Sequence, residues 1–221
     1  MSHTTHIFFH VVLFGLWLGP YAALLVLIAR LRLIGDQPQA VETLLKSVRL
    51  IERVPRTAFI LMLPMGLQLS HNLGYIAFSA GNTVGVWIVA LVWLAIDWRG
   101  ARQSFGPAAQ AARVVFRVLA SGFGAVVGGA GLLSLVTGGP IALPWLAGKF
   151  TLFGLALVIM ILIDLAVAQF YPRQQGKEAK AGVPSDPAVI SRVAGQAGTG
   201  IVALLVVLVA AAWMGVVKPF S

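Results

Sequence analysis

The sequence predicts an all-α fold, a polytopic membrane bundle of about six transmembrane helices. Of its 221 residues, 59% are hydrophobic and only 10% are charged, whereas a soluble domain is roughly one quarter charged. Long uncharged segments recur along the chain, and a helix needs about 20 apolar residues to cross the ~30 Å hydrocarbon layer. No segment alternates with period two over the roughly 10 residues of a membrane strand, so a β-barrel is not predicted.

The apolar segments divide one transmembrane domain, residues 1–221, into its spans. The longest uncharged run is divided at SAGNT, and two later runs are separated at TGGPIALP, because Gly, Pro and Asn are typical of turns. No basic leader precedes the first apolar run, so we expect it to be a span rather than a removed signal peptide. The predicted spans are residues 6–30, 57–79, 83–102, 114–137, 144–171 and 194–217.

Residues 39–54, QAVETLLKSVRLIERV, predict a cytoplasmic amphipathic helix between spans one and two. Apolar residues recur there at helical spacing, and charged residues lie between them, as in helices at a membrane surface. The segment is interpreted either as a docking face for a partner or as an interfacial connector.

The distribution of basic residues predicts the orientation. Cytoplasmic loops near membrane spans are enriched in Lys and Arg. Of the 16 basic residues, six lie in 30–56, four in 97–117 and four in 172–192. Both termini are therefore predicted to be extracytoplasmic (N-out, C-out), in a multi-pass protein of the bacterial inner membrane. The net charge of +9 predicts contact with anionic lipids at the cytoplasmic face, and not with nucleic acid.

Three histidines near the N-terminus form a candidate metal site. His3, His6 and His10 are spaced by three and four residues, which places them on one face of a helix. The chain has no cysteine, which excludes thiolate metal sites and disulfides. A bound metal would then be held by histidine, methionine, carboxylate or backbone groups, and these three histidines are the candidate ligands. The other interpretation is a hydrated collar at the end of the first span.

Three ionisable residues are predicted inside the outer apolar layer, and they form the candidate cofactor site: His10, His71 and Lys149. Ionisable residues within a membrane usually face a site or a pathway, because they are costly when they face lipid. The predicted depths of the three agree to within about two helical turns, or roughly 10 Å. The other interpretations are an interhelical hydrogen bond for the histidines and an extended, water-reaching side chain for Lys149.

Two aspartates stand at matching places in a possible internal repeat. MGLQLS followed by LVWLAIDW resembles AGLLSL followed by VIMILIDL, and the two segments end near Asp97 and Asp164. Two-helix hairpins repeat in this way in some membrane folds. We expect both aspartates at the cytoplasmic rim, as surface acids paired with Arg99 or Arg173.

Glycines spaced by four residues predict close helix packing. Gly124 and Gly128, with Gly131 nearby, lie on one side of span four, and Gly15 and Gly19 give span one a similar smooth face. Small residues at this spacing let two helices approach closely in lipid.

HVVLFGLWLG (10–19) and the pattern Trp145-x-x-x-Lys149 resemble the first-helix histidine and third-helix "W..K" of the HemJ and copper-resistance-D-like group of small integral membrane proteins. The resemblance covers spans one, two and five. It implies protoporphyrinogen oxidation in haem synthesis, with haem b held through His10 and Lys149. The copper-linked relatives imply metal handling at the outer face instead. This chain departs from the HemJ pattern in having six predicted spans rather than four, and a looser Trp-to-Lys spacing.

Two classes of function remain open. One is a membrane redox protein with haem b, in which His10 is one axial ligand and His71 or Lys149 is the other. The second is a non-enzymatic membrane subunit or a copper-handling protein, and a protein with no cofactor is a further alternative. A homo-oligomer or a partner membrane protein is compatible with either class. The sequence has no phosphate loop, nucleophile triad or paired carboxylates, so whether the protein is an enzyme and which residues are catalytic stay open.

The predicted orientation can be tested with reporters fused after Ser221. We expect a C-terminal alkaline phosphatase to be active and a green fluorescent protein at the same position to be dark, because the C-terminus is predicted to leave the cytoplasm. The opposite pair of results would reverse the orientation and place the histidines on the cytoplasmic side.

Overall fold

The protein is a bundle of helices in a computed structural model that describes residues 3–77, 79–102, 107–170 and 186–219. No β-strand occurs in these ranges. A π-helical turn, Gly124–Gly128, joins the helices Pro107–Phe123 and Gly129–Thr137 into one rod, and a 3₁₀ turn, Ala168–Phe170, follows the helix Pro144–Val167. The helices are α1 (His3–Leu31), α2 (Pro38–Asn72), α3 (Ala80–Arg102), α4 (Pro107–Phe123), α5 (Gly129–Thr137), α6 (Pro144–Val167) and α7 (Pro187–Val217).

Local signals in the sequence set several helix ends. Pro38, Pro144 and Pro187 each occupy the first position of a helix, where a missing N–H group costs nothing. The carboxylate of Asp186 caps α7 by accepting a hydrogen bond from the N–H of Ala188 at 2.8 Å. α5 ends at Gly138, whose φ of 81° is the left-handed conformation that favours glycine at a helix C-terminus.

Six rods form a closed ring in chain order. Each of α1, α2, α3, the α4–α5 rod, α6 and α7 packs against the next, and α7 packs against α1 to close the ring. Successive rods run in opposite directions, as the contacts of Gly100 at the end of α3 with Ala112 in α4, and of Gly148 at the start of α6 with Met214 near the end of α7, show. We call the end where α1 begins and α7 ends the histidine end, and the opposite end, where α7 begins, the basic end.

The all-α membrane bundle is confirmed. Five of the described helical segments are long and apolar enough to cross a membrane: Thr4–Leu31, Ala80–Gly100, Ala108–Thr137, Pro144–Phe170 and Pro187–Val217. Many large apolar side chains on their outer faces are exposed, as expected for helices that face lipid. The predicted span 57–79 corresponds to the apolar second half of α2, which ends at Asn72. The sixth span stays a prediction.

α2 joins two elements that the sequence analysis treats as separate. The amphipathic segment 39–54 continues without a break through Pro55 into the apolar half of the helix. Its apolar residues Val41, Leu45 and Val48 are buried in the main core, so this half of α2 does not lie alone on the membrane surface. This first half is buried because its apolar face continues the side of α2 that faces the core in the second half.

Glycines in the α4–α5 rod pack closely against α6. A Cβ atom at Gly128 would stand 2.8 Å from the Cα of Gly154, and one at Gly131 would stand 2.5 Å from the carbonyl oxygen of Ala147. Only glycine allows the two rods to approach this closely, as the spacing predicts. By contrast, a Cβ at Gly15 or Gly19 would meet no atom within 4 Å, so these two glycines face no neighbouring helix.

Aromatic rings fill the centre of the ring of helices. Phe59 of α2 contacts Trp17 at 5.5 Å, Trp93 at 5.5 Å and Phe153 at 6.0 Å between ring centroids. Trp93 in turn contacts two rings of α4. Such ring pairs add to the stabilisation that burial provides. The central aromatic cluster consists of Trp17, Phe59, Trp93, Phe116, Phe123 and Phe153.

A buried ion network lies one helical turn below Phe59, toward the basic end. Arg56 donates to Glu52 at 2.7 Å and to both Asp97 and Asp164 at 3.2 Å. Arg117 donates to the second oxygen of Asp164 at 2.7 Å. The Arg56 network therefore joins α2, α3, α4 and α6.

The network corrects the prediction for the two aspartates. Asp97 and Asp164 are 5% and 6% exposed, so they are not surface acids. The arginine partners that the described residues supply come from α2 and α4, and Arg99 is not among them; Arg173 lies outside the described residues. A buried carboxylate needs a charged partner inside the bundle, which an exposed Arg99 does not provide.

We expect Arg56→Gln to destabilise the fold by about 3–5 kcal/mol, because it leaves buried carboxylates without their shared cation. The free energy of unfolding can be measured by titration with a denaturing detergent in micelles. Arg99→Gln is the control, since it removes the same charge from an exposed position on α3. Equal stability of the two variants would show that the Arg56 network does not hold the helices together.

Candidate functional site

A cavity of about 420 Å³ opens between α1, α2, α6 and α7 at the histidine end of the bundle. Its walls are mostly apolar and aromatic, and its volume lies in the range of roughly 300–1,000 Å³ that is typical of ligand pockets. Trp17 and Phe153 of the central aromatic cluster form part of its lining. The cluster thus separates this histidine-end cavity from the Arg56 network.

His10 reaches the cavity from α1. Its ring lies against Gly66 of α2, where a Cβ atom would stand 3.4 Å from the Cε1 atom of the imidazole. The Nδ1 atom is buried and has no hydrogen-bond partner among the described residues. A buried ring nitrogen without a partner is unusual, since buried polar atoms are normally hydrogen-bonded. It is therefore a candidate ligand atom.

Lys149 reaches the same cavity from the second turn of α6. Its Nζ atom lies against α7 at Gly215, where a Cβ atom would stand 2.9 Å from Nζ. The absence of a side chain at Gly215 leaves room for the amine between the two helices. His10 and Lys149 thus line the same cavity from two different helices.

A second lysine, Lys218, stands at the rim of the cavity. Its Nζ atom lies 5.3 Å from the centroid of the Trp145 ring, which Tyr75 contacts edge-on at 5.5 Å. All three residues line the cavity. The mouth therefore combines aromatic surface with a positive charge.

The polar lining of the cavity is cationic. Among the described residues, His10, Lys149 and Lys218 line it and no carboxylate does. The sequence explains this asymmetry, since its seven acidic residues all lie in or beside the predicted cytoplasmic loops. An apolar cavity with amine and imidazole groups suits a ligand that is hydrophobic and carries negative charge.

The structure brings together two of the three predicted cofactor residues. His10 and Lys149 share the cavity, whereas His71 lies in the last turn of α2, is partly exposed and does not line it. The position of a residue along a membrane helix predicts the depth of that residue in the membrane. It does not say which way the side chain points.

The predicted metal triad is only partly described. His6 is 3% exposed and lies one turn before His10, within electrostatic range of it, while the side chain of His3 lies outside the described residues. In the part of the chain that the structure describes, no group of three or more His, Cys, Asp or Glu side chains could hold a metal ion. The copper site of His3, His6 and His10 stays a prediction.

Sequence reasoning missed Lys218, although a signal for it is present. Fourteen of the 16 basic residues lie in the predicted cytoplasmic loops, and the two exceptions are Lys149 and Lys218. Both exceptions line the histidine-end cavity. In this protein, a basic residue outside the predicted cytoplasmic loops therefore indicates a position in the cavity lining.

Comparisons with known proteins add no assignment to this geometry: no family model, no curated protein and no solved structure matches the chain.

Proposed function

We propose that this integral membrane protein binds haem b in the histidine-end cavity, with His10 and Lys149 as the axial ligands, and that it functions in electron transfer or in oxidation of a substrate. The observation that carries the proposal is the unpartnered Nδ1 of His10 in the wall of an apolar cavity that Lys149 shares. Haem proteins commonly hold the iron through a neutral histidine nitrogen.

The residues of the cavity fit this group in three respects. A nitrogen donor is present on each of two helices that line the cavity, α1 and α6. The remaining walls are apolar and aromatic, as a porphyrin ring requires. Lys218 at the rim could pair with a carboxylate such as a haem propionate, and no carboxylate among the described lining residues opposes it.

Each part of the lining has a separate task in this proposal. Haem b, when bound, supplies one-electron chemistry, and its potential depends on the ligands and on the polarity around it. Gly66 and Gly215 leave space for the imidazole and the amine. Trp17 and Phe153 close the cavity toward the centre of the bundle and exclude water from that side.

The resemblance to the HemJ-like group supports the proposal independently, because it assigns haem b to the same two residues, His10 and Lys149. Protoporphyrinogen oxidation is the activity that the resemblance implies. Copper handling by His3, His6 and His10 is the competing proposal, and the experiments below separate the two.

Replacing His10 with alanine should lower the haem content at least about tenfold, as loss of a metal ligand does. The measurement is the Soret absorbance per mole of purified protein, before and after reduction. His71→Ala is the matched control, since it removes the same side chain at the histidine end but outside the cavity. His3→Ala should also leave the haem content nearly unchanged.

Two results would contradict the haem proposal. One is wild-type protein that has no Soret band even after expression with added haem. The other is a haem content that His10→Ala does not change. Colourless protein that binds copper, and loses it in His6→Ala and His10→Ala, would favour the copper-handling alternative.

The second ligand can be identified from the spectrum. Lys149→Ala should shift the absorption bands or the electron paramagnetic resonance signal even where haem is retained, because the iron changes an axial ligand. Lys218→Ala should weaken haem retention without altering the bands, since this residue stands at the rim. A shift in His71→Ala and none in Lys149→Ala would show that Lys149 is not a ligand.

A further inference from the structure

A second cavity lies at the basic end of the bundle, on the far side of the central aromatic cluster. Its volume is about 330 Å³, and α2, α3, α4 and α6 contribute its walls. Leu50, which is 63% exposed, and the exposed side chain of Lys46 stand on its outer wall. The cavity therefore opens to the surface beside the first half of α2.

One face of α2 supplies most of the positive charge of this basic-end cavity. Lys46, Arg49, Arg53 and Arg56 are spaced by three, four and three residues, which places them on one side of a helix. The adjoining, apolar side of the same segment, Val41, Leu45 and Val48, is buried in the core. Since burial fixes the rotation of α2, it also fixes the direction of this basic face.

Cations outnumber carboxylates in the lining. Among the described residues, five cations and three carboxylates line the cavity, and the outermost cation, Lys46, also pairs with Glu42 at 2.9 Å. All three carboxylates, Glu52, Asp97 and Asp164, are bound by Arg56, and Asp164 is also bound by Arg117. Arg53 of α2 and Arg113 of α4 are partly buried rather than fully solvated.

The inner wall of the basic-end cavity is rigid. Gly100 of α3 packs directly against Ala112 of α4, and a Cβ atom at Gly100 would also stand 3.1 Å from the carbonyl oxygen of Ala108. Asp97 and Asp164 are fixed to Arg56 next to this contact. A wall held by backbone packing and by a charged network can keep the cations in place before a ligand arrives.

We propose that the basic-end cavity binds a phosphate group, and that the phosphate is supplied by an anionic lipid headgroup or by a free phosphate compound. Guanidinium groups recognise phosphate through paired N–H donors, and the lining is rich in arginine. Basic pockets between helices on the cytoplasmic side of membrane proteins suit anionic headgroups. The predicted orientation places this cavity at that side.

The test uses the full-length protein, purified in a neutral detergent and freed of bound lipid. The probes are phosphatidylglycerol, zwitterionic phosphatidylcholine and inorganic phosphate, with adducts quantified by native mass spectrometry and affinities by calorimetry. We expect phosphatidylglycerol or inorganic phosphate to bind the wild-type protein, and phosphatidylcholine to bind it at least about tenfold more weakly, which corresponds to about 1.4 kcal/mol.

The decisive variant adds a negative charge without removing an ion pair. Leu50→Glu places a carboxylate on the exposed wall of the cavity, and we expect the affinity for the anionic probe to fall about tenfold. Leu33→Glu is the matched control, since Leu33 is 79% exposed at the same end of the bundle and does not line the cavity. The affinity of the Leu33→Glu variant for the anionic probe should stay within about twofold of the wild-type affinity.

A second variant tests the arginines themselves. Arg53→Gln should weaken binding, and Arg53→Lys should restore part of it because the charge remains while the paired donors are lost. Binding of the wild type should also weaken with rising salt, since the attraction is between charges.

The outcomes separate the two sources of phosphate. Tight phosphatidylglycerol binding that inorganic phosphate does not displace identifies a lipid headgroup, and displacement at equal affinity identifies a free phosphate compound. Equal losses in Leu50→Glu and Leu33→Glu, or no binding to the wild type, would overturn the proposal. The haem content does not enter this test, so its result is independent of the histidine-end cavity.

Discussion

Arg56 is the constraint on which the arrangement of the helices depends. Its guanidinium binds three carboxylates from three helices, and one of these, Asp164, also holds Arg117. In a chain with seven acidic residues, three of them converge on this one cation. A buried carboxylate without a partner is costly in an apolar bundle. The network therefore fixes the rotation of α2, α3, α4 and α6 relative to one another.

The rest of the interior follows from this arrangement. Phe59 lies one turn from Arg56 on α2 and contacts rings from three other helices, while the Arg56 guanidinium itself lies 4.3 Å from the centroid of the Phe116 ring. The central aromatic cluster thus rests directly on the ion network. It divides the interior into a cationic apolar cavity at one end and an arginine-rich cavity at the other. The two ends therefore differ in the chemistry of their walls.

The sequence predicts the fold class and the depth of residues along each helix well, because the lengths of the apolar segments and the positions of the basic residues can be read directly along the chain. His10 and Lys149, which the sequence predicts at similar depths, line one cavity at the histidine end. Rotation about a helix axis is less accessible from sequence. His71 is near the predicted level but does not line the cavity, and Gly15 faces no helix although Gly128, in a similar pattern, packs closely. Tertiary contacts decide these cases.

The closed ring has a consequence for the order in which the molecule can be made. The histidine-end cavity needs walls from both α1 and α7, the first and last helices of the chain. At about 5–20 residues per second, a ribosome takes on the order of 10–40 s to proceed from His10 to Gly215. The Arg56 network needs only α2, α3, α4 and α6, so it can assemble earlier. The cavity thus stays open on one side until α7 has been synthesised, and a ligand can be enclosed only afterwards.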